Sequence, residues 1–429
     1  MLTFSIFAVL IGLLAINVPV VAAIGLTSVI FFALLGQGSF LAMLPHRMYF
    51  GTTGFTLLAI PFFILAGNLM NTGGITRRIF RFASAMVGHI PGGLGQVNIV
   101  ASVIFSGMSG SAVADAAGLG QIEHKAMVDD GYDPAVSASL VAASSVIGPV
   151  IPPSIPFVLY GAITGVSVAR LFMAGFLPGI IMSLGMMAAL AVLAKKRHYP
   201  CSACRTPARD AWASFRGAFW ALMAPVIIIG GIMTGFFTPT EASVAVCIYA
   251  AILGFAYRDL KLRDLPGILF ASLHQSVSLL FIIAAANFFG WLIIHQKIPD
   301  KIIAGLVALG ASQAHVLLIM MGVVLLLGCF IEGNAIFLIS LPIFMPVANM
   351  FGIDVINFGV VMTLLIMIGN LTPPVGMCLF AVDSFAKVGI LPLSREVLPY
   401  LVVIFAVTVL IAFVPGISLF LPRLVMGGM

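Results

Sequence analysis

Long apolar runs recur from one end of this 429-residue chain to the other, and they constrain its fold more than any other feature. Many of them approach the roughly 20 residues that a helix needs to cross a hydrocarbon layer about 30 Å thick. Only 8% of the residues are charged, whereas soluble domains carry about 25%. The runs are also continuous, unlike the short alternating segments of a membrane β-barrel. The sequence therefore predicts an all-α polytopic membrane protein.

Basic residues cluster in a few loops between these runs, near residues 77–81, 195–197, 205–209 and 258–263. Positive charge beside membrane spans marks cytoplasmic loops, and anionic lipid on that side favours the same placement. We therefore assign the formal net charge of +6 to these loops and to lipid, and expect no nucleic-acid partner.

The same charge pattern sets the path of two glycine-rich apolar regions. Residues 92–120 must enter and leave on the cytoplasmic side if all basic loops are inside, and residues 316–347 must do so on the opposite side. Two re-entrant hairpins that dip in from opposite faces are typical of an inverted-repeat transporter.

An internal repeat is visible in the letters. Gly148 followed by Pro152-Pro153 recurs as Gly369 followed by Pro373-Pro374, 221 positions later. The same shift relates Gly107 to Gly328 and Leu177-Pro178 to Leu398-Pro399. Agreement at three places in one register predicts two structural repeats.

The proline pairs have a physical consequence. Proline lacks a backbone donor and clashes with the preceding turn, so each pair predicts a broken transmembrane helix. Freed carbonyls inside a bilayer need partners, and a dehydrated Na⁺ is bound by such oxygens, while half-helix N-termini attract an anionic substrate. Small residues and proline kinks also serve simple helix packing. The occurrence of two matched breaks together with two matched hairpins favours ion binding over simple helix packing.

We expect one integral membrane transporter unit over residues 1–429. Its predicted parts are N-terminal scaffold spans and an arm at 1–91, a first repeat at 92–195, a cytoplasmic basic loop at 196–216, a second scaffold part at 217–312 and a second repeat at 313–429. The first 35 residues show no signal-peptide pattern, and we expect two spans there, separated near Asn17.

Several stretches together resemble a known family. SGMSGSAVADAAGLG, GPVIPPSIPF, FTPTEAS and GNLTPPVG are similar to the large membrane subunit of TRAP transporters, the tripartite ATP-independent periplasmic family, as are AIPFFILAGNLM and LMNTGGI. The resemblance covers essentially the whole chain. It implies Na⁺-driven elevator import of a carboxylate-bearing solute across the bacterial inner membrane. A periplasmic binding protein would deliver the solute, and a small membrane subunit would complete the scaffold.

The resemblance also implies two sodium sites, one in each repeat. The first would use Ser106, Ser109, Gly148, Ile151 and Pro153; the second would use Gly328, Gly369, Thr372 and Val375. Most would offer backbone carbonyls. Residues expected near the substrate or behind the ions are Ser111, Asp115, Pro152, Asn370 and Pro373.

Other polar residues are less telling. The second hairpin reads Phe330-Ile331-Glu332-Gly333-Asn334, where the family often has a short acidic residue and a proline, so Glu332 is not counted as a ligand. Glu241 in TPTEAS is expected to start a helix. His274 is expected at a span edge. Cys201 and Cys204 form one CxxC, which alone is weak support for zinc.

Other functions fit the sequence less well than the transporter does. A Na⁺/carboxylate symporter that needs no binding protein would share the hairpins and breaks. A proton-pumping respiratory subunit would need Lys, Glu and His relays that these spans nearly lack. The chain shows no HExxH, no Gly-x-Ser-x-Gly and no Walker A loop, so we expect neither an enzyme nor ATP as the energy source.

Overall fold

The computed structural model describes residues 2–200 and 207–427, and the regular elements there are all helical. The predicted all-α class is confirmed. Within these ranges seven helices are long and apolar enough to cross a membrane. Cys201 and Cys204 lie outside the described residues.

The N-terminal part contains five helices. They are α1 (Leu2–Ala15), α2 (Val20–Leu34), α3 (Leu44–Thr52), α4 (Ala59–Thr72) and α5 (Ile75–Val87). The first 35 residues form two separate helices, because the chain leaves α1 at Asn17, which has a φ of 65°, and Pro19 precedes α2. Both are shorter than the candidate spans, so the expectation that they are two spans stays a prediction. A proline ring fixes the backbone for the start of a helix.

Six helices form the region of the first predicted repeat. They are α6 (Gly93–Ser109), α7 (Ala112–Ala117), α8 (Leu119–Asp129), α9 (Pro134–Ser145), α10 (Ile155–Thr164) and α11 (Val168–Arg197). We call α6, α7 and the turn between them the first hairpin. The non-helical residues 146–154 between α9 and α10 are the first break.

Four helices form the second scaffold part. They are α12 (Ala208–Met233), α13 (Pro239–Ala256), α14 (Leu265–His295) and α15 (Ile298–Ala308). Helix α12 begins before the predicted loop end at 216, because Pro207 starts a helix whose first turns are polar. Thr238 and Glu241 form a capping box at the start of α13, which confirms the helix-start role of Glu241.

Six helices form the region of the second predicted repeat. They are α16 (Gln313–Gly328), α17 (Gly333–Met350), α18 (Val355–Asn370), α19 (Met377–Ala386), α20 (Ile390–Phe413) and α21 (Gly416–Met426). The second hairpin is α16, α17 and their turn; the second break is residues 371–376. The chain after residue 390 forms two helices, α20 and α21, because Pro415 follows the end of α20 and disfavours helix in the preceding residue.

Helix starts in the two halves follow the register seen in the sequence. Asp133 caps α9 and Asp354 caps α18, each through backbone N–H groups two and three residues ahead. Ser111 caps α7 and Glu332 caps α17. Both pairs are 221 positions apart. The peptide bonds Pro152-Pro153 and Pro373-Pro374 are both cis.

Helix α4 is held between α13 and α14. The Asn68 amide donates to the Ser272 hydroxyl of α14 at 2.8 Å. At its other side, a Cβ added to Gly73 would lie 3.1 Å from Gly254 Cα of α13, so glycine permits this close approach. Helices α4 and α14 thus form one polar-lined wall opposite the two hairpins.

A charged cluster fixes the loop after α13 to the start of α5. Arg77 and Arg78 bond the two Asp259 carboxylate oxygens at 3.0 and 2.7 Å. The Arg78 guanidinium also lies 3.7 Å from the Tyr257 ring centroid. The Arg78 hydrogen bond holds the pKa of Asp259 below its usual range.

Candidate functional site

Both hairpins, the first break and the helix ends on either side of the second break border one cavity of about 500 Å³. This volume is in the usual range for a small-molecule site. Helices α4 and α14 supply the facing wall. Segments more than 200 residues apart in the chain therefore meet at a single space between the repeats and the scaffold.

On the first-repeat side, the turn of the hairpin meets the break. Gly110 has a φ of +63°, and a Cβ there would lie 2.7 Å from the Pro153 carbonyl oxygen. The Ile155 N–H donates to the Gly110 carbonyl at 3.4 Å. Glycine is needed both for this left-handed conformation and for the close approach of two backbones.

Asp115 joins the same two segments. Its Oδ1 accepts a hydrogen bond from the Ser109 hydroxyl at the end of α6. Its Oδ2 lies so close to Gly148 that a Cβ there would collide with it. Asp115 is only 4% exposed. A buried carboxylate thus faces the hairpin hydroxyl and the backbone of the break.

The second-repeat side has a corresponding contact. Gly328, the last residue of α16, touches Gly369 of α18: a Cβ on Gly369 would lie 2.6 Å from Gly328 Cα. The Val375 N–H donates to the Cys329 carbonyl at 3.1 Å. The hydroxyl of Thr372 donates to the Ile368 carbonyl at 2.7 Å. Here too a hairpin and a break are in backbone contact.

The structure separates the predicted site residues into two groups. Ser109, Ser111, Asp115 and Asn370 line the cavity. The others are not part of its lining: Ser106, Gly148, Ile151, Pro152, Pro153, Gly328, Gly369, Thr372, Pro373 and Val375. No described contact tests their role as ligands, which stays a prediction.

The predicted ligands differ in what their side chains do. The Ser106 hydroxyl donates to the Val103 carbonyl at 2.6 Å, which leaves its oxygen lone pairs available to a cation. The same holds for Thr372. Ile151 packs its side chain against Gly179 of α11, so only its backbone could serve an ion. Neutral oxygens of this kind suit a monovalent hard cation, and on the first-repeat side the Asp115 carboxylate lies beside Ser109 and Gly148.

The wall of α4 and α14 supplies polar groups that the sequence reasoning gave no role. Asn68, Asn71, His274, Gln275 and Ser278 all line the cavity. His274, expected at a span edge, lies well inside α14 instead, nine residues after the helix begins at Leu265. The sequence does hint at these cavity-lining residues, because polar residues inside apolar runs usually face a cavity or another helix.

The cavity is uneven in charge. Its lining, all within the described residues, includes Asp115 and Glu332 but neither lysine nor arginine. Glu332 is partly satisfied at the start of α17, where it accepts from the Asn334 amide at 2.7 Å and the Ala335 N–H at 3.2 Å. An anion in this cavity would therefore depend on bound cations or backbone N–H groups for its countercharge.

Comparison with known proteins adds an independent finding. A family model described as the DctM component of the tripartite ATP-independent periplasmic transporter matches residues 7–417. The chain is 42% identical over 413 residues to the Haemophilus influenzae sialic acid TRAP transporter permease protein SiaT, covering 95% of this chain and 66% of that longer protein.

Two other relatives match over nearly their whole length. The sialic acid TRAP transporter large permease protein SiaM of Vibrio cholerae is 42% identical, covering 92% of this chain and 93% of its own. The C4-dicarboxylate TRAP transporter large permease protein DctM of Pseudomonas aeruginosa is 39% identical, covering 89% of each chain.

A solved structure has a similar fold. The Alcanivorax borkumensis YdaH transporter matches with a TM-score of 0.59 over 88% of each chain, at 15% identity, which supports the fold alone. The relatives are transporter permeases and not enzymes, and this chain has seven candidate spans in its described part. The chain is therefore a multi-pass integral membrane protein that belongs to the DctM family of TRAP transporter large permeases.

Proposed function

We propose that this chain imports a carboxylate-bearing solute across the bacterial inner membrane, driven by sodium. The solute would be a C4-dicarboxylate, sialic acid or another sugar acid. The observation that carries the proposal is the shared cavity, where both hairpins, the first break and the helix ends beside the second break meet opposite α4 and α14. A repeat-related pair of ion sites around one substrate space is what a sodium-coupled transporter needs.

The charge of the cavity supports sodium coupling. With Asp115 and Glu332 but neither lysine nor arginine in its described lining, the cavity offers little positive charge to an anionic solute unless cations bind first. Sodium bound at the two hairpin–break contacts would supply that positive charge. Solute affinity would then depend on sodium by linkage.

Sodium also suits the energetics. Moving one net positive charge across 100 mV yields about 2.3 kcal/mol. Two Na⁺ carried with one monoanion move one net charge, and the Na⁺ concentration gradient adds to this. A tenfold accumulation of solute requires about 1.4 kcal/mol, so the coupling supports substantial uptake.

The division between repeats and scaffold supports an elevator motion. The hairpins and breaks contact each other largely through glycine and backbone. The hairpins meet α4 and α14 across the cavity and also through small residues, since Gly67 of α4 lies against Ser109 and Gly290 of α14 lies against Pro342. The two repeats would move as one body against a scaffold made by the N-terminal part and α12–α15. Re-entrance of the hairpins from opposite membrane faces is part of the same proposal.

Two protein partners follow from the family. In a tripartite system a periplasmic binding protein would deliver the solute and a small membrane subunit would pack on the scaffold. The exposed apolar side chains of the scaffold, among them Phe270 and Leu273 of α14, would face lipid or that subunit.

The test is uptake by liposomes that contain this chain and its small subunit. Labelled carboxylates are offered with and without an inward Na⁺ gradient, and with and without liganded binding protein. Uptake that requires both supports the proposal and identifies the substrate. Sodium-dependent uptake that ignores the binding protein would instead indicate a stand-alone Na⁺/carboxylate symporter. Absence of sodium dependence in folded protein would refute the ion sites.

A further inference from the structure

A buried acid outside the cavity lining has no role in the proposed transport site. Glu123 lies on α8, a polar helix that is not among the candidate spans, yet its side chain is only 1% exposed. Its Oε2 lies 2.5 Å from the Asn98 side-chain amide on α6. Its Oε1 has no hydrogen-bond partner, and neither does the Asn98 Oδ1, although Asn98 is fully buried.

No basic side chain compensates this carboxyl group from the helices around it. Helix α8 packs against α6, α7, α9 and α19. Helices α6 and α9 contain no titratable side chain, α7 contributes Asp115, and α19 contributes Cys378 and Asp383.

The charged groups of α8 itself are also directed elsewhere. His124 bonds the Ser137 hydroxyl at 3.0 Å, and Lys125 and Asp129 are exposed. Among the described residues, then, Glu123 has another acid as its electrostatic neighbour and no base.

An ionised carboxylate in this position would be costly. A buried charge without a counter-ion usually takes up a proton instead, because the charged form loses its hydration. Burial accordingly raises the pKa of Glu123 well above its usual range, and the charge of Asp115 raises it further.

The geometry of the contact fits a carboxylic acid. A separation of 2.5 Å is short for an amide N–H donor but normal for an O–H donor. The two ends of an asparagine amide are assigned from their hydrogen bonds. With the amide turned, a proton on Glu123 Oε2 donates to the Asn98 carbonyl oxygen, and a buried charge is removed.

We propose that Glu123 is a proton-binding site, in which a neutral carboxylic acid on α8 is hydrogen-bonded to Asn98 of the first hairpin at neutral pH. The proton is taken from water as α8 packs on α6. It allows a hairpin region with two buried acids to fold without two uncompensated charges. This inference does not depend on sodium or on any substrate.

The test is infrared spectroscopy of the purified full chain in detergent or nanodiscs at pH 7. The wild type should show a carboxylic-acid carbonyl band that shifts in D₂O and is lost in E123Q. The matched control is D129N, which removes an exposed acid from the same helix and should keep the band. Identical spectra of wild type and E123Q would overturn the proposal.

A second measurement is the thermal midpoint as a function of pH. A raised pKa in the folded state means that folding takes up a proton above the unfolded pKa of about 4.3. Wild-type stability should therefore fall as pH rises from there towards the folded pKa, with a slope of one proton. E123Q, or E123M if the glutamine variant does not fold, should lose that slope while D129N keeps it.

A bound cation in place of the proton would give a different result. Added Na⁺ or K⁺ would then raise the wild-type midpoint, the increase would be lost in E123Q, and no acid band would be seen. That combination would refute the proton site.

Discussion

The contact between Gly328 and Gly369 provides the sharpest test of the second sodium site. In G369A the new methyl group would lie 2.6 Å from the Gly328 Cα and carbonyl carbon and 2.7 Å from its oxygen, whereas ordinary contact begins at 3.4 Å. All three atoms are backbone, so no side chain can move aside. Helices α16 and α18 must separate by several tenths of an ångström.

The cost follows from known overpacking effects. Extra methylenes in a tightly packed interior lower stability by about 1–3 kcal/mol. Alanine inside a helix is about 0.5–1 kcal/mol more favourable than glycine, which offsets part of this loss. If the sodium-bound form needs the close contact, Na⁺ affinity should fall by about 5- to 150-fold, the factor that corresponds to 1–3 kcal/mol.

The assay is the Na⁺ concentration that gives half of the maximal thermal stabilisation of the purified chain, with uptake as a second readout. G322A is the matched control, because Gly322 lies on α16, the helix that Gly369 touches, and a Cβ at Gly322 would meet nothing within 4 Å. It should keep wild-type Na⁺ affinity. A folded G369A with wild-type Na⁺ dependence would refute the reasoning.

Three further predictions follow from individual contacts. S109A removes the hydroxyl that bonds Asp115. Since hydrogen bonds to charged groups contribute about 1.5–3 kcal/mol, the Na⁺ concentration for half-maximal stabilisation should rise at least about tenfold in the same thermal assay. Unchanged affinity would contradict this. T238A removes the cap of α13 and should lower the free energy of unfolding by about 1 kcal/mol, measured by detergent unfolding. D259N should lower stability by at most about 1 kcal/mol, because the carboxylate is 25% exposed and its partner Arg77 is 64% exposed. Since the hydrogen bond from Arg78 lowers the pKa of Asp259, the stability difference between the wild type and D259N should be largest at neutral pH and should disappear as the pH falls below about 3.9. A difference that persists in strong acid would contradict this prediction.

The cavity also changes how the predicted site is understood. The sequence predicted two separate ion sites, whereas the structure brings their surroundings to one space that α4 and α14 close. Asn370 and Ser111 face that space, while Gly148 and Gly369 lie in the contacts behind it. This arrangement would let ions and solute influence each other directly, through charge, as well as through hairpin position.

The sequence by itself determined the membrane class, the 221-residue register and several helix starts. These properties are local: apolar length decides whether a helix can span, proline removes a backbone donor wherever it stands, and caps such as Asp133 and Asp354 bond N–H groups two or three residues away.

Only the tertiary structure decided which distant polar groups meet. The Asn68 and Ser272 side chains bond across 204 residues, His274 faces the cavity from inside α14, and Glu123 is buried although its helix reads as polar. Burial and partners at such positions depend on how whole helices pack against each other. No local pattern encodes that packing, because the same polar residue could equally face water, lipid or a cavity.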